Sequence, residues 1–284
     1  MSRFFLAVVV VPLLACGCRA GAQEEGRLLQ DAIASLRSGD AARAAELASG
    51  QIEASPEPDP TAFWIRAQAR SHLEDYAGSA EDYERLAEIE PGSARISLEL
   101  GAARFRNGDM AGSVAAFERV AELEAHSRAQ LWQLGISQYY AGDFAGCAAL
   151  FELHRTVNPQ DVENSVWHFL CVASIRGFDA ARAGLIPIDR DGRVPMMEVF
   201  ALFGGSAGVQ DVLDAANRAA GPGSGTGPEF YAHLYLGLYY EAMRDSDNSR
   251  MHIAKAVQLE QSGNYMWQVA RVHQELRKGS EDLP

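Results

Sequence analysis

His168 and Cys171 lie three residues apart, so a helix would place both side chains on one face. Cys147 is the one further cysteine beyond the N-terminal segment. An imidazole and two thiolates could hold a zinc ion, and two thiols could instead form a disulfide. The residues around them are apolar, however, which favours burial of this helix. We therefore expect core packing at all three positions, with a Cys147–Cys171 disulfide and a metal site as the alternatives.

Other patterns that could carry chemistry are weaker. The glycine-rich run Gly221–Gly227 lacks the Lys-Ser or Lys-Thr ending of a phosphate-binding loop, so we expect a flexible linker. Paired carboxylates such as Glu81 and Asp82 are expected on a solvated helix face. The sequence contains no H-E-x-x-H zinc pattern and no G-x-x-x-x-G-K phosphate pattern. These observations predict no catalytic residue, no cofactor and no bound metal.

The charge balance restricts the class of partner. The 284-residue chain has 25 Lys and Arg against 38 Asp and Glu, a formal net charge of −13. Phosphate contacts need clustered Lys and Arg, so this balance disfavours nucleic-acid binding. It also provides no electrostatic attraction to anionic lipid headgroups. Hydrophobic residues make up 48% of the chain, which is enough for a packed core. Enzyme, binding module and scaffold stay open on composition alone.

The N-terminus has the pattern of an export signal. A short basic start is followed by an apolar run that is too short to span a membrane and fits a secretory signal peptide. Leu13–Cys16 resembles a bacterial lipobox, which predicts residues 1–15 as the signal peptide and Cys16 as the lipidated residue. Cleavage after Ala22 is the alternative, and residues 16–26 form a linker. We expect a lipid-anchored envelope protein on the periplasmic face, or else a soluble periplasmic or secreted one.

The body of the chain repeats with a period of 34 residues. DYAGSAEDYERLAEIEP begins at Asp75, DMAGSVAAFERVAELEA at Asp109 and DFAGCAALFELHRTVNP at Asp143. An earlier and less regular copy begins at Asp40. A second apolar stretch precedes the three regular copies and has a small residue at the same position each time: Ala67, Gly101 and Gly135. Two helices per period, joined by a turn, are expected.

Residue types within each period predict how the two helices pack. Each second helix should begin after its aspartate, whose carboxylate can accept from unpaired backbone N–H groups of the first turn. The small residue on each first helix should allow close approach to a buried aromatic residue on the second, at Tyr83, Phe117 and Phe151. Small residues also face this contact from the second helix, at Ala44, Ser79, Ser113 and Cys147.

The period, together with Leu100-Gly101, Leu134-Gly135 and Leu236-Gly237, resembles the tetratricopeptide-repeat (TPR) family. The resemblance implies an all-α solenoid, a right-handed superhelix of helix-turn-helix repeats with a degenerate middle and a C-terminal capping helix. It places four TPR-like repeats at residues 25–161. A degenerate repeat and irregular helical region follows at 162–228, and a C-terminal repeat with the capping helix at 229–278.

The order of these parts is similar to that of the bacterial lipoprotein NlpI family, with an exported N-terminus, leading repeats, a degenerate middle and a recovered C-terminal repeat. YLGLYYEAMRDSDNSRMHIAKAV, at residues 235–257, is the nearest local match. The resemblance implies an envelope adaptor that dimerises and brings a periplasmic protease to cell-wall hydrolases. It transfers no individual binding residue, because the family has no short functional motif to match.

TPR proteins usually hold partner peptides in a concave groove lined by the first helix of each repeat. Helical spacing directs one set of side chains toward that groove, which predicts the protein-binding site: Trp64, Gln68, Arg95, Phe105, Arg106, Trp132, Tyr139 and Tyr140. One residue of register is ~100° around a helix, so packing inside the stack is the alternative for the same aromatic residues. Arg95 and Arg106 would suit a partner's carboxylate in this acidic chain.

These observations predict a non-catalytic scaffold or adaptor that binds peptide segments of other proteins. Self-association into a homodimer is expected through apolar residues of the first or the last helix: Leu28, Leu29 and Ile33, or Met266, Trp267 and Val269. One alternative is a structural or assembly component that acts by self-association alone. The other is an enzyme with its site in residues 183–226, the stretch that departs from the repeat pattern.

Overall fold

The computed structural model describes residues 27–55, 57, 59–219, 227–259 and 263–278. These residues form α-helices and a 3-10 turn at Arg128–Gln130, and they contain no strand, which confirms the all-α prediction. The predicted signal peptide, Cys16, the linker at 16–26 and most of the glycine-rich run lie outside the described residues.

The α-helices are numbered in chain order. They are α1 (described over residues 27–37), α2 (Ala41–Ala54), α3 (Pro60–His72), α4 (Tyr76–Ile89), α5 (Ala94–Arg106), α6 (Met110–Leu123), α7 (Trp132–Tyr140), α8 (Phe144–His154), α9 (Val162–Arg176), α10 (Phe178–Ala183), α11 (Met196–Gly204), α12 (Val209–Ala219), α13 (Gly227–Ala242), α14 (Ser246–Gln258) and α15 (Tyr265–Leu276).

These helices form two compact units, one ending at Pro91 and one beginning at Gly92. In the first unit, α2 packs on α3 and α3 packs on α4. In the second unit, each helix from α5 to α9 packs on the next, and α13, α14 and α15 do the same. The irregular middle joins these two groups, because α11 contacts both α9 and α13.

The predicted second helices begin after an aspartate, as expected. Asp40, Asp75, Asp109 and Asp143 each accept a hydrogen bond from the backbone N–H three residues further on, at 2.9 to 3.0 Å. This bond satisfies one of the N–H groups that a helix leaves unpaired in its first turn, and it contributes ~1 kcal/mol. The start of each second helix is therefore fixed by a local contact.

Glycines of the first helices lie against aromatic rings of the second helices. A Cβ atom placed on Gly101 would lie 2.8 Å from a ring carbon of Phe117, and one on Gly135 would lie 2.7 Å from a ring carbon of Phe151. Both rings are buried. Ser113 adds a hydrogen bond across the same pair of helices, since its hydroxyl donates to the carbonyl oxygen of Gly101 at 2.8 Å. The close helix approach agrees with the predicted register.

Gly135→Ala should lower the free energy of unfolding by about 1–3 kcal/mol, because the added methyl group would lie too close to the buried ring of Phe151, which must shift to accept it. Gly50→Ala is the matched control, since Gly50 also lies in a helix and a Cβ there meets nothing within 4 Å. The control should be neutral or slightly stabilising, because alanine is the better helix former. Urea unfolding measures both variants, and equal midpoints would contradict the close approach at Gly135.

Asp82 on α4 is buried, with only 2% of its side chain exposed. Its Oδ1 accepts from Arg66 at 2.6 Å, and its Oδ2 accepts from Arg70 at 3.0 Å. The prediction that Asp82 lies on a solvated helix face is wrong. Two guanidinium groups on α3 neutralise its carboxylate inside the first unit. The ion pairs join α3 to α4.

Cys147 on α8 and Cys171 on α9 form a disulfide, with their Cα atoms 6.0 Å apart. Both residues are fully buried, so the expected burial is confirmed and the expectation of unbonded packing is corrected. The bond joins two neighbouring helices across 24 residues of chain. In the part of the chain that the structure describes, no group of three His, Cys, Asp or Glu residues could hold a metal ion.

The C-terminal helix α15 has one buried face: Met266, Trp267, Val269, Ala270, Val272 and His273. The indole N–H of Trp267 donates to the carbonyl oxygen of Val257 at 3.0 Å, which joins α15 to the end of α14. Further contacts of α15 are with α5 and α7, and they determine how much of the expected groove stays open.

Candidate functional site

Tyr265, the first residue of α15, packs against aromatic residues of α5 and α7. Its ring stacks on Phe105 with the centroids 5.6 Å apart, and it meets Trp132 edge to face at 5.0 Å. Aromatic pairs in these arrangements contribute ~0.5–1.5 kcal/mol beyond the area that they bury. The chain's own C-terminal helix therefore covers the aromatic side of α5 and α7.

Polar contacts continue this docking along α15. The hydroxyl of Tyr140 lies 3.0 Å from Nδ1 of His273, and the hydroxyl of Tyr139 donates to Oε2 of Glu241 at 3.2 Å. Arg277 donates through Nε to Oε1 of the same Glu241 at 2.8 Å. Burial, and then the Glu241 carboxylate, raises the pKa of both tyrosines well above the usual value. Burial lowers the pKa of His273, which favours a neutral ring that can accept from Tyr140.

The predicted groove residues of the second unit are therefore not an open surface. Phe105 is fully buried and Tyr139 is 5% exposed, while Trp132, Tyr140 and Arg106 are half-buried. These positions correct the expectation of a free aromatic groove. The physical reason is that α15 packs a ring on Phe105 and Trp132, while α13 and α15 supply polar partners for Tyr139 and Tyr140: Glu241 and His273. Arg95 alone of the set in this unit is exposed.

The two predicted groove residues of the first unit lie on α3. Trp64 is half-buried and packs edge to face on Tyr83, with the ring centroids 5.4 Å apart. Gln68 is half-buried as well. The aromatic contact agrees with the packing alternative for Trp64, since its ring rests on the neighbouring helix of the same unit.

An open cavity of about 740 Å³ lies beside the α15 contacts. It has α7, α8 and α9 on one side, and α13 with the start of α15 on the other. Its volume is within the range of ~300–1,000 Å³ that is typical of ligand sites. Five phenylalanine, tryptophan and tyrosine side chains line it: Trp132, Phe151, Trp167, Tyr231 and Tyr265.

One end of this cavity is acidic. Asp161 and Glu163, at the start of α9, both line it. Arg193 lies behind them and donates through one nitrogen to Asp161 and to Asp191, at 2.6 Å each, while a second nitrogen donates to Glu163. The hydroxyl of Tyr235 also donates to Glu163. These contacts hold both carboxylates in one orientation.

The carboxylates of this network differ in acidity. Burial raises the pKa of Glu163, although Arg193 and the Tyr235 hydroxyl act against it. Burial also acts to raise the pKa of Asp191, but the hydrogen bonds from Arg193 bring it below its usual value. Burial, followed by the charge of Glu163, raises the pKa of Tyr231 across the cavity.

Three buried polar atoms of cavity-lining residues have no hydrogen-bond partner among the described residues: Oδ1 of Asn164, Nε1 of Trp167 and the hydroxyl of Tyr265. Asn164 is 2% exposed and Trp167 is 1% exposed. Leaving such a group unpaired costs ~1–3 kcal/mol. The lining residues of the cavity therefore include an unpaired acceptor on α9 and an unpaired donor one turn further along the same helix.

The sequence reasoning missed these residues. Glu163 and Trp167 come from the region predicted as a degenerate repeat, and Asp161 is the last residue of the four predicted repeats. Only the helical spacing of Glu163 and Trp167, four residues apart, could have indicated a shared face. Their pairing with Tyr231 and Tyr265 depends on the fold of the distant C-terminal repeat. The sequence could therefore indicate which residues share a face of α9, but not that Tyr231 and Tyr265 line the same cavity.

Gly204-Gly205-Ser206-Ala207-Gly208 matches the G-x-S-x-G pattern of nucleophilic serines. That pattern works on a sharp turn from a strand into a helix, whereas this segment joins helix α11 to helix α12. Ser206 is exposed, and its hydroxyl donates to the backbone oxygen of Ala201 at 3.3 Å. The structural context that gives the pattern its chemistry is therefore missing around Ser206.

No family model matches the sequence, and a search of curated proteins finds no match. The fold is similar to that of a tetratricopeptide repeat protein from Parabacteroides merdae, with a TM-score of 0.59 and 11% identity over 88% of this chain and 98% of that chain. Pseudomonas aeruginosa pilF has a TM-score of 0.45, with 13% identity over 89% of this chain and 99% of that chain. At such identity the first likeness shows the fold alone: the chain has the tetratricopeptide-repeat fold.

Within the described residues, every helix falls short of the length and hydrophobicity that crossing a membrane requires.

Tyr265→Ala should loosen α15, because the variant removes the ring that packs on Phe105 and Trp132. We expect a loss of ~3 kcal/mol in the free energy of unfolding and faster hydrogen exchange of the α15 amides. Tyr265→Phe is the matched control, since it keeps both ring contacts and removes a buried hydroxyl without a partner among the described residues. Its stability should stay equal or rise. Wild-type exchange rates in the alanine variant would show that these rings do not hold α15.

Proposed function

We propose that this chain is a non-catalytic scaffold that binds partner proteins through the cavity of its second unit. The observation that carries the proposal is a cavity of about 740 Å³ with aromatic walls and an acidic end, on a fold of packed helical repeats. Aromatic residues provide a large contact area at small entropic cost, and they are frequent among the residues that dominate binding energy. Phe105 and Tyr140, which were also predicted to line the groove, instead pack against α15.

We further propose that the scaffold is exported and anchored in the cell envelope by a lipid on Cys16. The apolar start and the lipobox-like run at Leu13–Cys16 support this location. The Cys147–Cys171 disulfide supports it as well, because such bonds form and persist in oxidising compartments such as the bacterial periplasm. Soluble export, after cleavage at Ala22, is the alternative.

The adaptor role of the NlpI family is the finer form of this proposal. It rests on the similar order of export signal, repeats, irregular middle and C-terminal repeat, and on the match at residues 235–257. In this form the partners are a periplasmic protease and cell-wall hydrolases. A homodimer would use the half-buried Leu28, Leu29 and Ile33 of α1, because Met266, Trp267 and Val269 are buried against their own unit.

Cys16→Ser should move the protein from the membrane fraction to the soluble fraction of the envelope, because the thiol that would carry the lipid is replaced. Cys18→Ser is the matched control: it removes a neighbouring thiol outside the lipobox-like run and should leave the protein membrane-bound. Fractionation followed by immunoblotting measures both. Membrane retention of the Cys16 variant would contradict the lipid anchor.

Photo-cross-linking tests the scaffold role in cells. Replacing Tyr231 by benzoylphenylalanine puts a photoreactive benzophenone, which keeps the tyrosine ring and adds a benzoyl group, in the cavity wall, and we expect covalent adducts of higher mass after irradiation. The same replacement at Asp179, an exposed residue of α10 that does not line the cavity, should yield none. Mass spectrometry identifies the partner. Adducts from position 179 but not from position 231 would place the binding surface elsewhere.

A further inference from the structure

The charge inside the cavity is negative and is not balanced by its lining. Among the described residues that line it, Asp161 and Glu163 are acidic and none is lysine or arginine. Behind them, Arg193 serves Asp161, Glu163 and Asp191 together, so one cation faces three carboxylates. Asp161 and Glu163 each keep 17% of the side chain exposed, which leaves them within reach of a bound group. This end of the cavity therefore favours a cation.

The walls of the cavity favour a planar cation. Trp132, Tyr231 and Tyr265 line the same cavity as the two carboxylates. The negative faces of aromatic rings attract cations, and guanidinium groups stack on them more often than ammonium groups do. A guanidinium can also meet carboxylates with two parallel hydrogen bonds, which an ammonium cannot do.

The unpaired atoms of α9 specify what else the ligand must carry. Oδ1 of Asn164 needs a donor, and a guanidinium has five N–H donors in a fixed plane. Nε1 of Trp167 needs an acceptor, which a guanidinium lacks and a peptide carbonyl provides. An arginine residue within a peptide chain supplies both the donor and the acceptor.

We propose that the cavity binds an arginine side chain in a segment of the partner protein, with the guanidinium between the aromatic walls and against Asp161 and Glu163, and a backbone carbonyl of the segment accepting from Trp167. The proposal rests on the scaffold function and names its partner chemistry. It also fits the overall charge of −13, which attracts basic segments and repels acidic ones.

Two capped pentapeptides test the proposal, Gly-Gly-Arg-Gly-Gly and the same peptide with citrulline, which keeps the shape of arginine and lacks its charge. Titration into the ¹⁵N-labelled full chain, followed by NMR, gives the affinity and reports the indole N–H of Trp167 directly. We expect the arginine peptide to bind at least about tenfold more tightly than the citrulline peptide, with a shift of the Trp167 indole signal.

Asp161→Asn removes one carboxylate charge and keeps a residue that caps helices well, so α9 should still begin at Val162. The arginine peptide should lose at least about tenfold in affinity, and the citrulline peptide should be unaffected. Asp179→Asn is the matched control, because it changes the net charge equally at an exposed site outside the cavity. It should bind like the wild type. Circular dichroism and thermal unfolding check that both variants are folded.

Three results would overturn the arginine site: equal affinity for the two peptides, no effect of Asp161→Asn, or equal effects of the two aspartate variants. If cross-linking from position 231 still captures a partner in any of these cases, the scaffold function stands and only the arginine chemistry falls. If the peptides discriminate as expected while no partner is captured in cells, the site stands and the scaffold function falls.

Discussion

The close approach of helices at the small-residue positions is the contact on which the rest of the structure depends. In the second unit, Gly101 and Gly135 bring α5 and α7 against the rings of Phe117 and Phe151 without space for a Cβ atom. Gly237 repeats the arrangement in the last repeat, where a Cβ would lie 2.6 Å from Ile253. Because the large side chain lies on one helix and the glycine on the other, each helix pair has one orientation in which the side chain fits against the glycine.

This orientation leaves an aromatic surface that the repeats cannot bury alone. Phe105, Trp132 and Tyr140 belong to this surface, and the chain covers them with α15. The coverage is partial, because α15 begins only at Tyr265 and its N-terminal end stands at the edge of the cavity. The same helix thus covers these aromatic residues and forms one wall of the cavity.

Much of the fold could be predicted from the sequence because its determinants are local. Asp75, Asp109 and Asp143 act on residues three positions away, and the glycine-to-ring contacts recur with the period of the repeat. The cover over the groove could not be predicted, since it joins residues 102 positions apart at Tyr139 and Glu241, and 133 apart at Tyr140 and His273. Helical period assigns a face to each side chain, and it does not reveal which distant element covers that face.

The candidate cavity owes its shape to contacts that also hold the fold. Asp161 accepts from the backbone N–H of Glu163 at 3.1 Å, so the cavity carboxylate is fixed by the same bond that starts α9. Further along that helix, Cys171 ties α9 to α8 through the disulfide. A site held in this way loses little conformational freedom when it binds, and more of the contact energy is therefore retained as affinity. Packed repeats can hold a short segment on these terms, because folding has already ordered the residues that line the cavity.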